Sequence, residues 1–252
     1  MKKPVPTVGR TVSPTLVYDP TMNIEAVLFD AAETLFTTRG SVGEIYGSVA
    51  REFGCSAPVS AIQTAFVHQF QHSGPLSTDK EKEWWKDVVY RVFSEVGMVR
   101  DFDRFFDAVY DRFRDSEGWM LFPETREVLE ALKGRGLKLG VVSNFDSRLY
   151  SVMRSLEILS FFDAVTISSE TGYAKPHPEI FRTALRALDA PAEQTLLVGD
   201  NLEDDVLASQ AIGIHAVLLD RSGRYPDLNS GSKIQNLRQI IEWISPAWQR
   251  RG

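Results

Sequence analysis

Five short, nearly continuous apolar runs, each closing on a polar residue, constrain this chain more than any other feature: residues 24–30 (IEAVLFD), 137–144 (LKLGVVSN), 164–168 (AVTIS), 195–200 (TLLVGD) and 215–220 (HAVLLD). Runs of this length, without polar alternation, are what a strand buried on both faces requires. Stretches with helical spacing at 125–133, 147–156, 178–188, 203–212 and 234–245 lie between and after them. Strand and helix in alternation predict an α/β fold, a parallel sheet with helices on both faces. With 252 residues, 43% of them hydrophobic, the chain can bury such a core.

The alternation fails once. Residues 35–120 read almost wholly helical, which predicts an inserted cap over 39–118 and a core made of 23–38 and 119–252. Residues 1–22 are rich in Pro and Thr and lack an apolar secretory region, so a flexible tail is expected there. No apolar run approaches the ~18 residues of a membrane span. A net charge of -6 offers nothing to nucleic acid or an anionic membrane, and the single cysteine, Cys55, points to a reducing, cytoplasmic setting.

In parallel sheets the residues that do chemistry gather at the carboxyl ends of the strands. Those ends carry Asp30, Ser143 with Asn144, and Asp200, while Lys175 lies in a loop before a helix. Two acids at neighbouring strand ends repel unless a cation lies between them, so Asp30 and Asp200 suit a hard, oxygen-loving ion such as Mg2+. Asp205, five residues after Asp200, is placed to bind the ion or orient its waters. With that charge screened by the ion and Lys175, the Asp30 carboxylate can attack a phosphoryl group as nucleophile. Ser143 and the Asn144 amide would hold the nonreacting oxygens.

These segments resemble, in order, the motifs of the haloacid dehalogenase superfamily of hydrolases, subfamily IA. The match comprises 30–34 (DAAET), Ser143 with Asn144, Lys175 with Pro176, and 199–205 (GDNLEDD). Segments 42–54 and 83–97 are similar to the cap of one subgroup in that superfamily. The resemblance implies a Rossmann-like core, an α-helical cap inserted after the first motif, Mg2+ as cofactor with the residue 32 carbonyl among its ligands, and a small phosphorylated molecule as substrate.

One position departs from the pattern. Phosphatases of the superfamily carry a second Asp two residues after the nucleophile, where it protonates the leaving alkoxide; here the position holds Ala32. Glu33 could substitute, or the substrate could be an acyl or aryl phosphate whose leaving group needs no proton. Other members lacking that Asp cleave carbon–phosphorus or carbon–halogen bonds. The first chemistry would need a cap lysine, for which Lys80, Lys82 and Lys86 are placed, and the second is disfavoured by Gly199 and Asp200. A phosphate- and metal-binding regulatory protein with impaired chemistry is the remaining alternative. Arg39 either recognises an anionic group of the substrate or is a hinge surface residue. His68 and His72, four residues apart, and the aromatic residues around Trp84 and Trp85 are expected to be surface and cap core respectively.

Overall fold

The computed structural model describes residues 23–73, 80–226 and 233–244. The tail expected over 1–22 and the end of the helix expected over 234–245 lie outside the described residues.

Six strands form one parallel sheet: β1 (Ala26–Phe29), β4 (Lys138–Ser143), β5 (Ala164–Ile167), β6 (Thr195–Gly199), β7 (His215–Leu219) and β8 (Lys233–Ile234), in the order β5-β4-β1-β6-β7-β8. Each neighbouring pair runs parallel. The α/β fold expected from the alternating runs is therefore the one observed. Because side chains alternate across a strand, Val27 and Phe29 enter one apolar cluster while Ala26 and Leu28 enter the other. The second cluster is completed by Ile180, Phe181, Ala184 and Leu188 of α8 (Pro178–Leu188). A Cβ at Gly140 in β4 would come within 2.9 Å of Leu28 and Leu188 side chains, so glycine lets α8 lie close to the sheet. The first cluster takes in α5 (Thr125–Gly134) and α6 (Arg148–Ser155), then runs on without a break into the inserted helices.

Those helices are α1 (Val42–Glu52), α2 (Val59–Gln71), α3 (Glu81–Val96) and α4 (Phe102–Arg112). A capping box of Ser41 and Glu44 starts α1, and the acid-rich α4 buries Phe105, Phe106 and Val109 on its inner face. The chain enters and leaves this region through β2 (Phe36–Thr38) and β3 (Trp119–Leu121), an antiparallel pair with Phe36 opposite Leu121 and Thr38 opposite Trp119. The ribbon departs from the wholly helical reading of 35–120. Each strand has three residues, too few for a period-2 pattern to show.

Two other expectations are corrected. The stretch 203–212 is not a regular helix: a π-helical turn, Leu202–Leu207, precedes a short α9, Ala208–Gln210. The Asn201 side chain accepts from the Glu203 and Asp204 amides, and its carbonyl accepts from both Asp205 and Val206, which widens the turn. The stretch from 234 onward opens as the sixth strand, β8, and becomes helical only at α10 (Gln239–Trp243). With two residues in β8, pairing with β7 rather than any local pattern makes it a strand.

Candidate active site

The strand order reverses at β1, between β4 and β6, so the crevice at their carboxyl ends is where the topology places a ligand. Asp30 follows β1 directly, and its amide donates to Val198 O of β6 at 2.9 Å, extending the ladder by one residue. That bond fixes the carboxylate at the rim. Ser143 ends β4, and its hydroxyl donates to Asp30 Oδ1 at 3.1 Å. Lys175 Nζ donates to the same Oδ1 at 2.6 Å and to Asp205 Oδ1 at 2.5 Å. Asp30 Oδ2 receives no hydrogen bond among the described residues.

The loop holding Lys175 is pinned by Asn144. Asn144 Oδ1 accepts from the Lys175 amide at 2.7 Å, and its Nδ2 donates to the Lys175 carbonyl at 2.9 Å. Its side chain is thus a positioning device for the ammonium. Asp205 is turned inward by the π-helical turn, and its Oδ2 accepts from the Asn201 amide at 3.0 Å. A Cβ at position 199 would lie 2.3 Å from that carboxyl group, so Gly199 makes the approach possible.

Asp30, Asp200 and Asp205 present carboxylate oxygens that all lie within 4.8 Å of one another. Three oxygen donors without nitrogen or sulfur suit a hard divalent cation. Burial pushes the Asp30 carboxyl up to about 7; Lys175 pulls it down, but Asp205 and Asp200 add to the rise. Asp200 is also raised, chiefly by burial and against the pull of Arg224. Burial opposes the charge on Lys175, yet Asp205 and Asp30 hold it well above the usual lysine range. A protonated lysine in a cluster where Asp30 and Asp200 resist ionisation describes a centre with surplus negative charge, the condition a cation relieves.

Arg224 was not visible as a site residue in the sequence. Its Nη2 donates to Asp200 Oδ2 at 2.5 Å and to the Asp200 carbonyl at 3.0 Å. The loop that carries it is shaped by Asp220 at the end of β7, whose oxygens accept from the Arg224 amide at 2.7 Å and the Tyr225 amide at 3.1 Å. The strand-end rule that found Asp30 and Asp200 would have led to this loop. Arg221 has a similar place: it donates to the Thr34 carbonyl at 2.9 Å and to Glu124 Oε1 at 2.6 Å, steadying the segment after Asp30 from behind.

The other candidates share no hydrogen bond or ion pair with this group among the described residues. Arg39 is exposed beside the β2 and β3 ribbon, where its Nε donates to Ser116 O at 2.7 Å. Ala32 is half-buried and bridges to Phe36 through its backbone. Glu33 adopts a left-handed φ of 61°, and its exposed carboxylate accepts from Thr37 Oγ1 at 2.7 Å. Lys82 and Lys86 form ion pairs with Asp107 and Asp103, joining α3 to α4. The exposed His68 and His72 rings lie tilted by 40° with centroids 4.5 Å apart, and His72 Nδ1 lies 2.7 Å from the His68 carbonyl.

The family model for a haloacid dehalogenase-like hydrolase matches residues 24–213. The chain belongs to that family. This haloacid dehalogenase-like hydrolase is 33% identical over 205 residues to haloacid dehalogenase-like hydrolase domain-containing protein 3 of Danio rerio, covering 77% of this chain and 84% of that protein. It is 26% identical to glyceraldehyde 3-phosphate phosphatase of Methanothermobacter thermautotrophicus, over 78% of this chain and 86% of the other. Its fold superimposes on a solved L-2-haloacid dehalogenase with a TM-score of 0.71 at 21% identity, covering 88% of this chain and 99% of that one. The proteins it is similar to thus include a named phosphatase and a named dehalogenase, and fold alone does not choose between those activities.

Proposed function

We propose that this hydrolase is a Mg2+-dependent phosphatase acting on a small phosphorylated molecule through an aspartyl-phosphate on Asp30. The observation that carries the reading is the asymmetry of the Asp30 carboxylate: Oδ1 is held by Lys175 and Ser143, and Oδ2 has no donor among the described residues. One oxygen is anchored while the other can attack in line. The acidic cluster supports a phosphoryl substrate over an alkyl halide, because a divalent ion neutralises phosphoryl oxygens and gives a halide no comparable help. Similarity to a named phosphatase across most of the chain points the same way.

Asp30, Asp200, Asp205 and the carbonyl of Ala32 would hold Mg2+, which when bound supplies charge neutralisation at the phosphoryl oxygens. Lys175 orients Asp30 and adds positive charge; with substrate bound, the Ser143 hydroxyl would turn its single proton from Asp30 to a nonreacting oxygen, beside the Asn144 backbone amide. Asp30 Oδ2 attacks phosphorus and the leaving group departs; water then attacks phosphorus, restoring the carboxylate and releasing phosphate. Ala32 provides no proton for the first departure, and Glu33 is engaged with Thr37. Acyl and aryl phosphates, whose leaving groups are stable as anions, are therefore the preferred substrates.

Ala32 also favours a second reading, a metal- and phosphate-binding regulatory protein. Assays with Mg2+ across acyl, aryl and alkyl phosphates separate the two. Turnover of the activated esters supports the enzyme, and ligand binding without turnover in any class supports the regulator. Ala32→Asp is expected to raise alkyl phosphate hydrolysis by about 100- to 10,000-fold, the usual reach of a positioned acid.

A further inference from the structure

Just beyond Ser143 and Asn144 lies a charged pair that the reaction does not use. Asp146 and Arg148 are both buried. Asp146 Oδ1 accepts from the Arg148 amide and Nε, each at 2.9 Å, and Oδ2 accepts from Nη2 at 2.6 Å. So far the pair closes within its own loop. The cap then adds to it: Trp85 Nε1 donates to Asp146 Oδ2 at 2.5 Å, and the Arg148 guanidinium lies 4.8 Å from the Trp85 ring and 4.2 Å from the Tyr110 ring. Beside it, Glu81 at the start of α3 accepts from the Ser147 amide at 3.1 Å and from the Ser147 hydroxyl at 2.5 Å. Two cap helices thus grip the loop leading from the phosphoryl-binding turn into α6.

A buried ion pair is weak evidence of net stabilisation, because its desolvation cost offsets much of the attraction. Its value here is geometric. A hydrophobic contact allows the cap to slide, whereas an indole donor, two ring faces and a carboxylate aimed at four groups of one loop admit a single seating. The same loop is continuous with Ser143, bonded to Asp30, and Asn144, bonded to the backbone of Lys175. Movement of the loop as the cap lifts would be transmitted to both.

We propose that Asp146 and Arg148 are positioning residues that couple the seating of the cap, through Trp85, Tyr110 and Glu81, to the turn at Ser143 and Asn144. The inference rests on the reading above for what that turn binds. Coupling is reciprocal: a seated cap fixes the turn, and a phosphoryl group at the turn favours the seated cap. Substrate enters an open form and completes its own enclosure.

Hydrogen exchange tests this, with Mg2+ and orthovanadate as the phosphoryl mimic, on the wild type, Trp85→Leu, Trp85→Phe and Arg148→Lys. In the wild type, the mimic slows exchange both at 143–148 and in the first turns of α3. Trp85→Leu keeps the protection at the turn and loses that in α3 by about fivefold or more, the lower edge of ordinary coupling. Trp85→Phe and Arg148→Lys, which retain the ring or the charge, lose less. Protection of α3 that is unchanged in Trp85→Leu overturns the coupling, as does wild-type protection confined to the turn. Absence of any protection at 143–148 in the wild type instead overturns the phosphoryl reading, and the coupling with it.

Discussion

Two ionic groups meet the segment that follows β4, one through the Ser143 hydroxyl bonded to Asp30 and the other through Asp146 and Arg148, and they are built on opposite principles. Around Asp146 and Arg148, one acid meets one base, and both carboxylate oxygens are filled by donors from the loop and from Trp85. Around Asp30, three acids face two bases, Lys175 and Arg224, which leaves one negative charge in excess when all are ionised. The first group is complete as it stands. The second carries a charge that a cation would balance, and one of its oxygens, Oδ2 of Asp30, accepts no hydrogen bond among the described residues. On the proposed function, saturation marks the group that positions, and incompleteness marks the group that reacts.

Substitution should expose the contrast, first through activity. Asp30→Asn is expected to lower turnover of an acyl phosphate by at least about 10,000-fold, as loss of a nucleophile does. Its stability without divalent cations at pH 8 should not fall below that of the wild type, because burial already disfavours the ionised Asp30. Asp146→Asn should do the reverse in chemical denaturation. It strands a buried guanidinium, at a cost of about 3–5 kcal/mol. Equal stability losses in the two variants would erase the distinction between them.

The pH dependence sharpens it further. The folded protein keeps a proton on Asp30 up to about 7, while the unfolded chain loses it near the ordinary aspartate value of 3.8. The contribution of Asp30 to stability therefore falls as pH rises through that window, since the folded state binds more protons there. A metal must displace that proton, so Mg2+ affinity measured by calorimetry should rise about tenfold per pH unit below 7 and level off above it. A flat profile would mean that Asp30 does not compete with the proton for the ion. The smallest effect belongs to the exposed pair of Lys82 and Asp107 on the cap. Lys82→Ala should change stability by less than about 1 kcal/mol, fixing the scale against which the two buried groups are read.

Asp30, Ser143 and Lys175 were legible in the sequence because each stands at a strand end or in a loop punctuated by glycine and proline, and Asp205 by its spacing from Asp200; the structure joins them by direct hydrogen bonds. Arg39 was equally conspicuous, beside the first motif, but its Nε is spent on Ser116 O at the ribbon. Arg224 and Arg148 carried no such signal. Each gains its meaning from a partner whose position no local spacing reveals: an acid on another strand for Arg224, and two aromatic rings of the cap for Arg148.

The sequence alone determined the parallel sheet, the helical insertion and the acidic rim, because runs buried on both faces, helical periodicity and strand-end polar residues are written locally. Tertiary structure decided the rest. The two-stranded ribbon, the strand β8 and the π-helical turn that aims Asp205 are each too short to stabilise themselves and exist through contacts made across the fold. Which oxygen of Asp30 is anchored and which is open was decided in the same way, by Lys175 reaching it from 145 residues along the chain. Periodicity records which face of an element is buried, and only packing records what it is buried against.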